Sequence, residues 1–221
     1  MKIEGCEFPD DLLYDEDALT WARVERTGTV LVGITSIHAS LAGRLVQVKA
    51  KPTGVAYERR RAIATVEGGK YFGAVRTPLD GLLVEVNEAV LRRPKTLSES
   101  PYEDGWLARL RPDRLEDDRR LLRTAAEAAG TFARQIADLR IRCFAAFPDH
   151  EMVEIGTECA AVLSKLNELL GKIAVGEVVH LVSDDWTAPA VMANWSEQSK
   201  QPVVESRKEG ELYHFLVRKV S

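Results

Sequence analysis

The fold is decided by residues 62–87, which read AIATVEGGKYFGAVRTPLDGLLVEVN. β-branched, aromatic and small residues stand on both sides of Gly68-Gly69, and a second apolar run follows near the end of the stretch. A Gly-Gly pair supplies the positive φ angles of tight two-residue turns, so the pattern predicts a β-hairpin with its turn at Gly68-Gly69. Lys70 then stands at the turn, where its amine is exposed to water and open to covalent modification.

The residues around Lys70 resemble a known modification motif. The spacing Glu67-x-x-Lys70, followed by Pro78-x-x-Gly81 and Val84-Glu85-Val86-Asn87, is similar to the lipoyl-lysine hairpin of the glycine cleavage H-protein family. Flanking segments stand in that family's order: Phe8-Pro9-x-x-Leu12-x-Tyr14, Trp21, Val32-Gly33-Ile34-Thr35 and Ser100-Pro101-Tyr102-x-x-Gly105-Trp106-Leu107. The resemblance covers residues 1–112 and implies a β-rich lipoyl domain of barrel-sandwich hybrid fold. It also implies lipoate bound covalently to Lys70, with Glu67 at the acidic position of the modification motif.

Two departures from the family pattern leave alternatives open. The family usually has bulkier residues at the positions of Gly68 and Gly69, and its common histidine-glutamate pair is replaced here by Leu19-Thr20. If Gly68-Gly69 form the turn, Lys70 begins the return strand instead of occupying the tip. The alternative interpretation of Lys70 is a solvated turn lysine in a degenerate domain.

The composition indicates a soluble protein of two domains. The 221 residues are 45% hydrophobic and 29% charged, and a chain of this length can bury two small cores. A net charge of −4 gives no electrostatic reason to expect nucleic acid or an anionic membrane as a partner. No apolar run approaches the roughly 20 residues that cross a bilayer, and the N-terminus lacks the features of a signal peptide. We therefore expect a cytoplasmic protein.

The three cysteines are Cys6, Cys143 and Cys159. Their odd number and uneven spacing favour free thiols in a reducing compartment over a disulfide framework. Four histidines and no CxxC pair give no zinc-binding pattern.

A change of period follows the first domain. Apolar residues recur at intervals of three and four from about Arg114 to Ala137, which predicts an amphipathic helix. We interpret residues 113–140 as a rigid helical linker between a first domain at 1–112 and a second domain at 141–221.

The last eighty or so residues predict the element order βαβαββ, a two-layer α/β sandwich, so the whole chain is of the α+β class. This half resembles the SirA/TusA-like sulfur-carrier family, on the basis of Gly156-x-x-Cys159, Gly176-Glu177, Asp184-Asp185 and the terminal Phe215-Leu216-Val217-Arg218-Lys219. The family's cysteine is followed by prolines in a CPxP pattern, whereas Cys159 is followed by Ala160-Ala161-Val162. At the first turn of a helix, Cys159 is expected to have a lowered pKa and to carry sulfur as a persulfide, or else to belong to a docking module without that chemistry.

The two resemblances together imply a carrier protein and not an enzyme, since no Ser-His-Asp, Walker or Rossmann pattern is present. The combination resembles the lipoate-binding proteins that work with heterodisulfide-reductase-like complexes in sulfur oxidation. Expected partners are a lipoate ligase or lipoyl transferase, that reductase and sulfur-transfer proteins. The alternatives are a glycine cleavage H-protein that carries an aminomethyl group between glycine-cleavage enzymes, and a sulfurtransferase in which Cys159 does the chemistry.

Overall fold

The chain divides into two compact units. The computed structural model describes residues 1–69 and 71–221, and its units are residues 1–143 and 144–221. Both units combine helices with strands, in agreement with the predicted two-domain α+β class. Within the described residues, no helix has both the length and the apolar character needed to cross a membrane.

Strands dominate the first unit. They are β1 (Lys2–Ile3), β2 (Cys6–Glu7), β3 (Leu13–Asp15), β4 (Thr20–Val24), β5 (Val30–Ile34), β6 (Leu45–Ala50), β7 (Ala56–Tyr57), β8 (Ala62–Gly68), β9 (Phe72–Arg76), β10 (Gly81–Val86) and β11 (Ala108–Pro112). The helices are α1 (Ser36–Ala42), α2 (Glu88–Arg92), α3 (Thr96–Glu99), α4 (Leu115–Arg119) and α5 (Ala125–Asp138). Six strands form one sheet in the order β3-β4-β5-β11-β10-β7, and a second sheet, β6-β8-β9, contains the predicted hairpin.

Helix α5 belongs to the core of the first unit. Its Phe132 stacks on Phe8 with ring centroids 4.4 Å apart and meets Tyr14 edge-on at 5.6 Å. A capping box between Thr124 and Glu127 fixes the start of the helix. Residues 113–140 therefore lie within the first unit and are not a separate linker. The amphipathic pattern predicted the helix correctly, but it carried no information about which surface the apolar face covers.

A disulfide joins Cys6 of β2 to Cys143, the last residue of the first unit. The expectation of free thiols is wrong for this pair, and Cys159 is the one free cysteine among the described residues. Packing brings together two segments that are 137 positions apart in sequence, so that their Cα atoms lie 4.9 Å from each other.

The second unit has the element order that the sequence predicts. Its elements are β12 (His150–Glu154), α6 (Cys159–Lys172), β13 (Val178–Ser183), α7 (Ala188–Ser199), β14 (Val203–Glu209) and β15 (Leu212–Arg218). The sheet order is β12-β13-β15-β14, with β12 parallel to β13 and the other pairs antiparallel. Leu166 of α6 and Met192 of α7 are buried against Leu181 and Phe215 of this sheet. The parallel pair brings the carboxyl ends of β12 and β13 to one edge, and Cys159 follows the first of these ends.

Candidate functional site

The first candidate site is the turn between β8 and β9. Glu67 pairs with Phe72, and the Gly68 amide donates to the Tyr71 carbonyl oxygen at 2.8 Å. Gly68 is thus the last residue of β8 and lacks a positive φ, so it is not part of the turn that the sequence predicted at Gly68-Gly69. The sequence places Gly69 and Lys70 between the paired ends. Lys70 itself lies outside the described residues.

Gly68 is required by a close approach to helix α1. A Cβ at this position would lie well inside van der Waals contact with the Ala42 carbonyl oxygen and 3.1 Å from the Arg44 carbonyl oxygen. Both are backbone atoms around Gly43, where α1 ends with a φ of 64°. A side chain at residue 68 would push the hairpin away from this helix end, because backbone atoms cannot move aside as a flexible side chain does.

The hairpin presents an exposed acidic and apolar row beside the turn. The Glu67 side chain is exposed and lies on β8 between its register partners, Gln47 on β6 and Phe72 on β9. Phe72 is 73% exposed, and Val46 on β6 is 62% exposed. The sheet therefore places a carboxylate between Gln47 and the exposed ring of Phe72, with exposed Val46 on the same strand as Gln47, and exposed apolar groups of this kind are suited to contact with another protein.

Tyr71 connects the return strand to α1. Its hydroxyl oxygen lies 3.1 Å from Nε2 of His38, which is 3% exposed. Burial lowers the pKa of His38 to about 4, against a smaller opposing effect of the Leu19 carbonyl. The ring is therefore neutral at neutral pH. Burial also raises the pKa of Tyr71, so its hydroxyl keeps its proton.

The second candidate site surrounds Cys159, the first residue of α6. Its thiol donates to Oδ2 of Asp185 at 2.9 Å and lies 3.5 Å from the Thr187 hydroxyl. The other carboxylate oxygen, Oδ1 of Asp185, accepts from the Thr187 amide at 2.8 Å and from its hydroxyl at 2.7 Å. The carboxylate is thus oriented by Thr187 and directed at the sulfur.

The expected lowering of the Cys159 pKa is wrong. Burial raises it first, and the hydrogen bond and negative charge of Asp185 raise it further, against an opposite effect of the Thr187 hydroxyl. The same contacts hold the pKa of the Asp185 carboxyl low, with the Cys159 hydrogen bond as the largest cause. Burial is the largest cause of this rise, and the Asp185 carboxylate, 26 residues away in sequence, adds to it, so the position at a helix N-terminus does not produce the lowered pKa that the prediction expected.

Sequence reasoning did not identify His38, Tyr71 or Thr187 as site residues. The sequence signal for the contacts of the hairpin was the excess of glycine around Lys70. Gly68 lies close to the Ala42 carbonyl, and Gly73 lies close to the Tyr71 ring. Among the described residues, no group of three or more His, Cys, Asp or Glu side chains could hold a metal ion.

Comparison with known proteins covers the first of these sites. The family model described as glycine cleavage H-protein matches residues 12–135. Glycine cleavage system H protein 5 of Aquifex aeolicus (strain VF5) is 36% identical over 146 residues, which are 64% of this chain and 98% of that protein. The probable glycine cleavage system H protein 3 of Saccharolobus solfataricus is 34% identical over 132 residues, 60% of this chain and 94% of that protein.

A solved structure agrees with these sequence matches. The glycine cleavage system H protein of Mycobacterium marinum superposes with a TM-score of 0.50 and 31% identity, over 57% of this chain and 98% of that chain. Glycine cleavage H-proteins carry a covalently attached lipoate on a lysine, and they are carriers and not enzymes. The hairpin site lies inside the matched region, and this chain therefore belongs to the glycine cleavage H-protein family.

Proposed function

We propose that this chain is a swinging-arm carrier whose lipoate is attached to Lys70, with Glu67 as the acidic residue of the modification site. One observation carries the proposal: the β8–β9 hairpin closes with the Gly68–Tyr71 hydrogen bond around Gly69 and Lys70, inside the region that matches the family. Glu67 lies on the last outward-facing position of β8 before this turn.

The described residues around the turn fit a long covalent arm. A Cβ built at Gly69 would meet no described atom within 4 Å, so the space beside the tip is open. The exposed ring of Phe72 offers an apolar surface next to the turn. Lipoate supplies a dithiolane that cycles between disulfide and dithiol at the end of an extended chain. The protein's own contribution is to hold the hairpin ends rigidly on the sheet and on α1, so that the arm moves and its base does not.

Intact-mass measurement tests the attachment site. Incubation of the purified chain with lipoate, ATP and a lipoate ligase is expected to add one lipoyl amide, and Lys70→Arg is expected to abolish the addition. Lys49→Arg is the matched control, because Lys49 is an exposed lysine on the neighbouring strand β6. A lipoyl group that persists in the Lys70→Arg variant would contradict the assignment.

The proposed partner system is a heterodisulfide-reductase-like complex of sulfur oxidation. The support is the combination of a lipoyl-carrier unit with a second unit whose Cys159 and Asp184-Asp185 pattern is similar to that of sulfur carriers. The alternative is the glycine cleavage system, the system with which the H-protein family works. In that case the arm carries an aminomethyl group.

One reaction distinguishes the two systems. The lipoylated chain is incubated with glycine and a glycine decarboxylase, and an authentic glycine cleavage H-protein serves as the positive control. We expect no aminomethyl adduct on this chain, together with measurable binding to a heterodisulfide-reductase-like complex. An adduct formed at the rate of the control would favour glycine cleavage instead.

We further propose Cys159 as a sulfur-accepting thiol, on the observation that Asp185 accepts its proton in a hydrogen bond and is itself oriented by Thr187. The thiol loses its proton to water, and the resulting thiolate attacks the outer sulfur of a persulfide R–S–SH. The new S–S bond forms as the R–S–S bond breaks, and R–S⁻ leaves with the electron pair of the broken bond and takes up a proton to give R–SH. The product is a Cys159 persulfide. Mass spectrometry should then show a gain of one sulfur atom in the parent chain and none in Cys159→Ala. Equal sulfur uptake by both proteins would exclude this role.

A further inference from the structure

Tyr71, the residue that follows Lys70, is held by a side-chain contact with helix α1 that passes over the return strand β9. The Tyr71 ring folds over Gly73, since a Cβ at residue 73 would lie 2.7 Å from two atoms of that ring. The ring then reaches α1, where its hydroxyl meets Nε2 of His38 at 3.1 Å, with the two rings in an edge-on arrangement. Gly73 therefore provides the room that this side-chain path requires.

The contact between Tyr71 and His38 joins two uncharged side chains. The His38 ring is buried and neutral at neutral pH, because desolvation depresses its pKa. Its Nδ1 atom is buried without a hydrogen-bond partner among the described residues, whereas Nε2 is paired with the Tyr71 hydroxyl. Loss of that hydroxyl would leave both ring nitrogens without a partner among the described residues, at a cost in free energy.

The hairpin is held on α1 at both ends of its turn. On the incoming strand, Gly68 lies against the Ala42 carbonyl at the end of α1, and on the outgoing strand Tyr71 is tied to His38 in the first half of the same helix. Gly68 and Tyr71 are also joined to each other by the hydrogen bond that closes the hairpin. The paired ends of the hairpin are thus held on the helix by two separate interactions.

We propose that Tyr71 and His38 are positioning residues for the modification of Lys70, acting by holding the outgoing strand so that the lysine is presented to the lipoate-attaching enzyme. The inference rests on the proposed attachment of lipoate to Lys70. A modifying enzyme binds only the fraction of hairpins in the correct arrangement, so a loosened tip raises the apparent KM and leaves kcat nearly unchanged. Loss of one neutral hydrogen bond corresponds to an increase in KM of about 3- to 10-fold.

The test measures lipoylation kinetics with a lipoate ligase, with intact mass as the readout. Tyr71→Phe removes only the hydroxyl, and Tyr57→Phe is the matched control, because the Tyr57 hydroxyl donates to the Pro52 carbonyl at an exposed position of the same unit. His38→Leu removes the hydrogen-bond partner of Tyr71, whereas His38→Gln keeps a polar group that can form a hydrogen bond near the position of Nε2. Exchange of the Gly68 amide, which is bonded to Tyr71, reports the order of the tip directly.

We expect Tyr71→Phe and His38→Leu to raise KM and to speed exchange of the Gly68 amide, and His38→Gln to restore most of the loss. Tyr57→Phe should match the parent. Parental kinetics in Tyr71→Phe, with Lys70 still modified, would overturn the positioning role and leave the proposed function intact. If the parent chain is not modified at Lys70, the proposed function fails and this inference fails with it. Equal losses in His38→Leu and His38→Gln would show a packing role only and would also overturn it.

Discussion

The disulfide between Cys6 and Cys143 should supply a large part of the stability of the first unit. It closes a loop that spans 137 positions of sequence, from the N-terminal hairpin to the segment after α5. Cys6 is fully buried beside Phe8 and Phe132, so reduction leaves the sulfur in a packed apolar environment. The main effect of reduction is therefore on the unfolded chain, which gains conformational freedom.

The size of this effect follows from the length of the loop. For 137 positions, the chain-entropy relation gives a loss of about 5 kcal/mol in the free energy of unfolding at 25 °C. This is an upper figure, because a real unfolded chain keeps residual structure. A small domain has about 5 to 15 kcal/mol in total, so reduction is expected to bring the first unit close to its stability limit.

Hydrogen exchange within α5 is the assay, since this helix packs into the same core as Cys6. The perturbation is Cys143→Ser in a Lys70→Arg background, which removes any lipoyl disulfide from the experiment. Position 143 is chosen because its side chain is partly exposed, whereas serine at the fully buried position 6 would bury a hydroxyl. Cys159→Ala is the control, because it removes the free thiol and keeps the disulfide.

We expect the α5 amides to lose several kcal/mol of protection from hydrogen exchange in Cys143→Ser, and to lose the same amount in the parent treated with a phosphine reductant. Reduction of the Cys143→Ser variant should cause no further loss. Cys159→Ala should keep parental protection until it is reduced. The reasoning is refuted if Cys143→Ser and the oxidised parent differ by less than about 1 kcal/mol, a difference within the error of treating the unfolded state as a free chain.

Three further predictions concern the two candidate sites. Gly68→Ala should destabilise the hairpin by about 1 to 3 kcal/mol in urea unfolding, because its methyl group would strike the Ala42 carbonyl. Gly69→Ala, which meets no described atom within 4 Å, should cost far less, and equal effects would exclude the close approach as the cause. The folded-state pKa of His38, about 4, lies below its unfolded value near 6.5, so the unfolded state binds more protons between these pH values. The free energy of unfolding should therefore fall by about 3 kcal/mol in total as pH drops through this window, with no effect of this group above it. His38→Gln should remove that part of the slope, and an unchanged slope would show that other groups produce it. Asp185→Asn should speed alkylation of Cys159 by iodoacetamide at pH 7, because it removes a charge and a carboxylate acceptor that raise the thiol pKa. A slower or unchanged rate would mean that burial alone controls the thiol.

The sequence by itself determined the features that depend on neighbours along the chain. The β-branched runs around the glycines of residues 62–87 predicted two strands and the hairpin, since side-chain alternation is a local property. The spacing Glu67-x-x-Lys70 indicated the family that the comparisons show. The amphipathic period after residue 113 predicted the helix α5, and the apolar runs beyond residue 150 predicted the order βαβαββ.

Tertiary structure alone decided the features that depend on groups far apart in sequence. Gly68 belongs to β8 and not to the expected turn, and the Ala42 carbonyl occupies the space that a side chain at this position would need. Cys6 is bonded to Cys143 because the core of α5 and the N-terminal hairpin brings them together, and an odd number of cysteines could not reveal that pair. The Cys159 pKa is raised first because packing buries the thiol and then because the loop after β13 places Asp185 against it. In each case the deciding group approaches through packing, which periodicity and spacing along the chain do not encode.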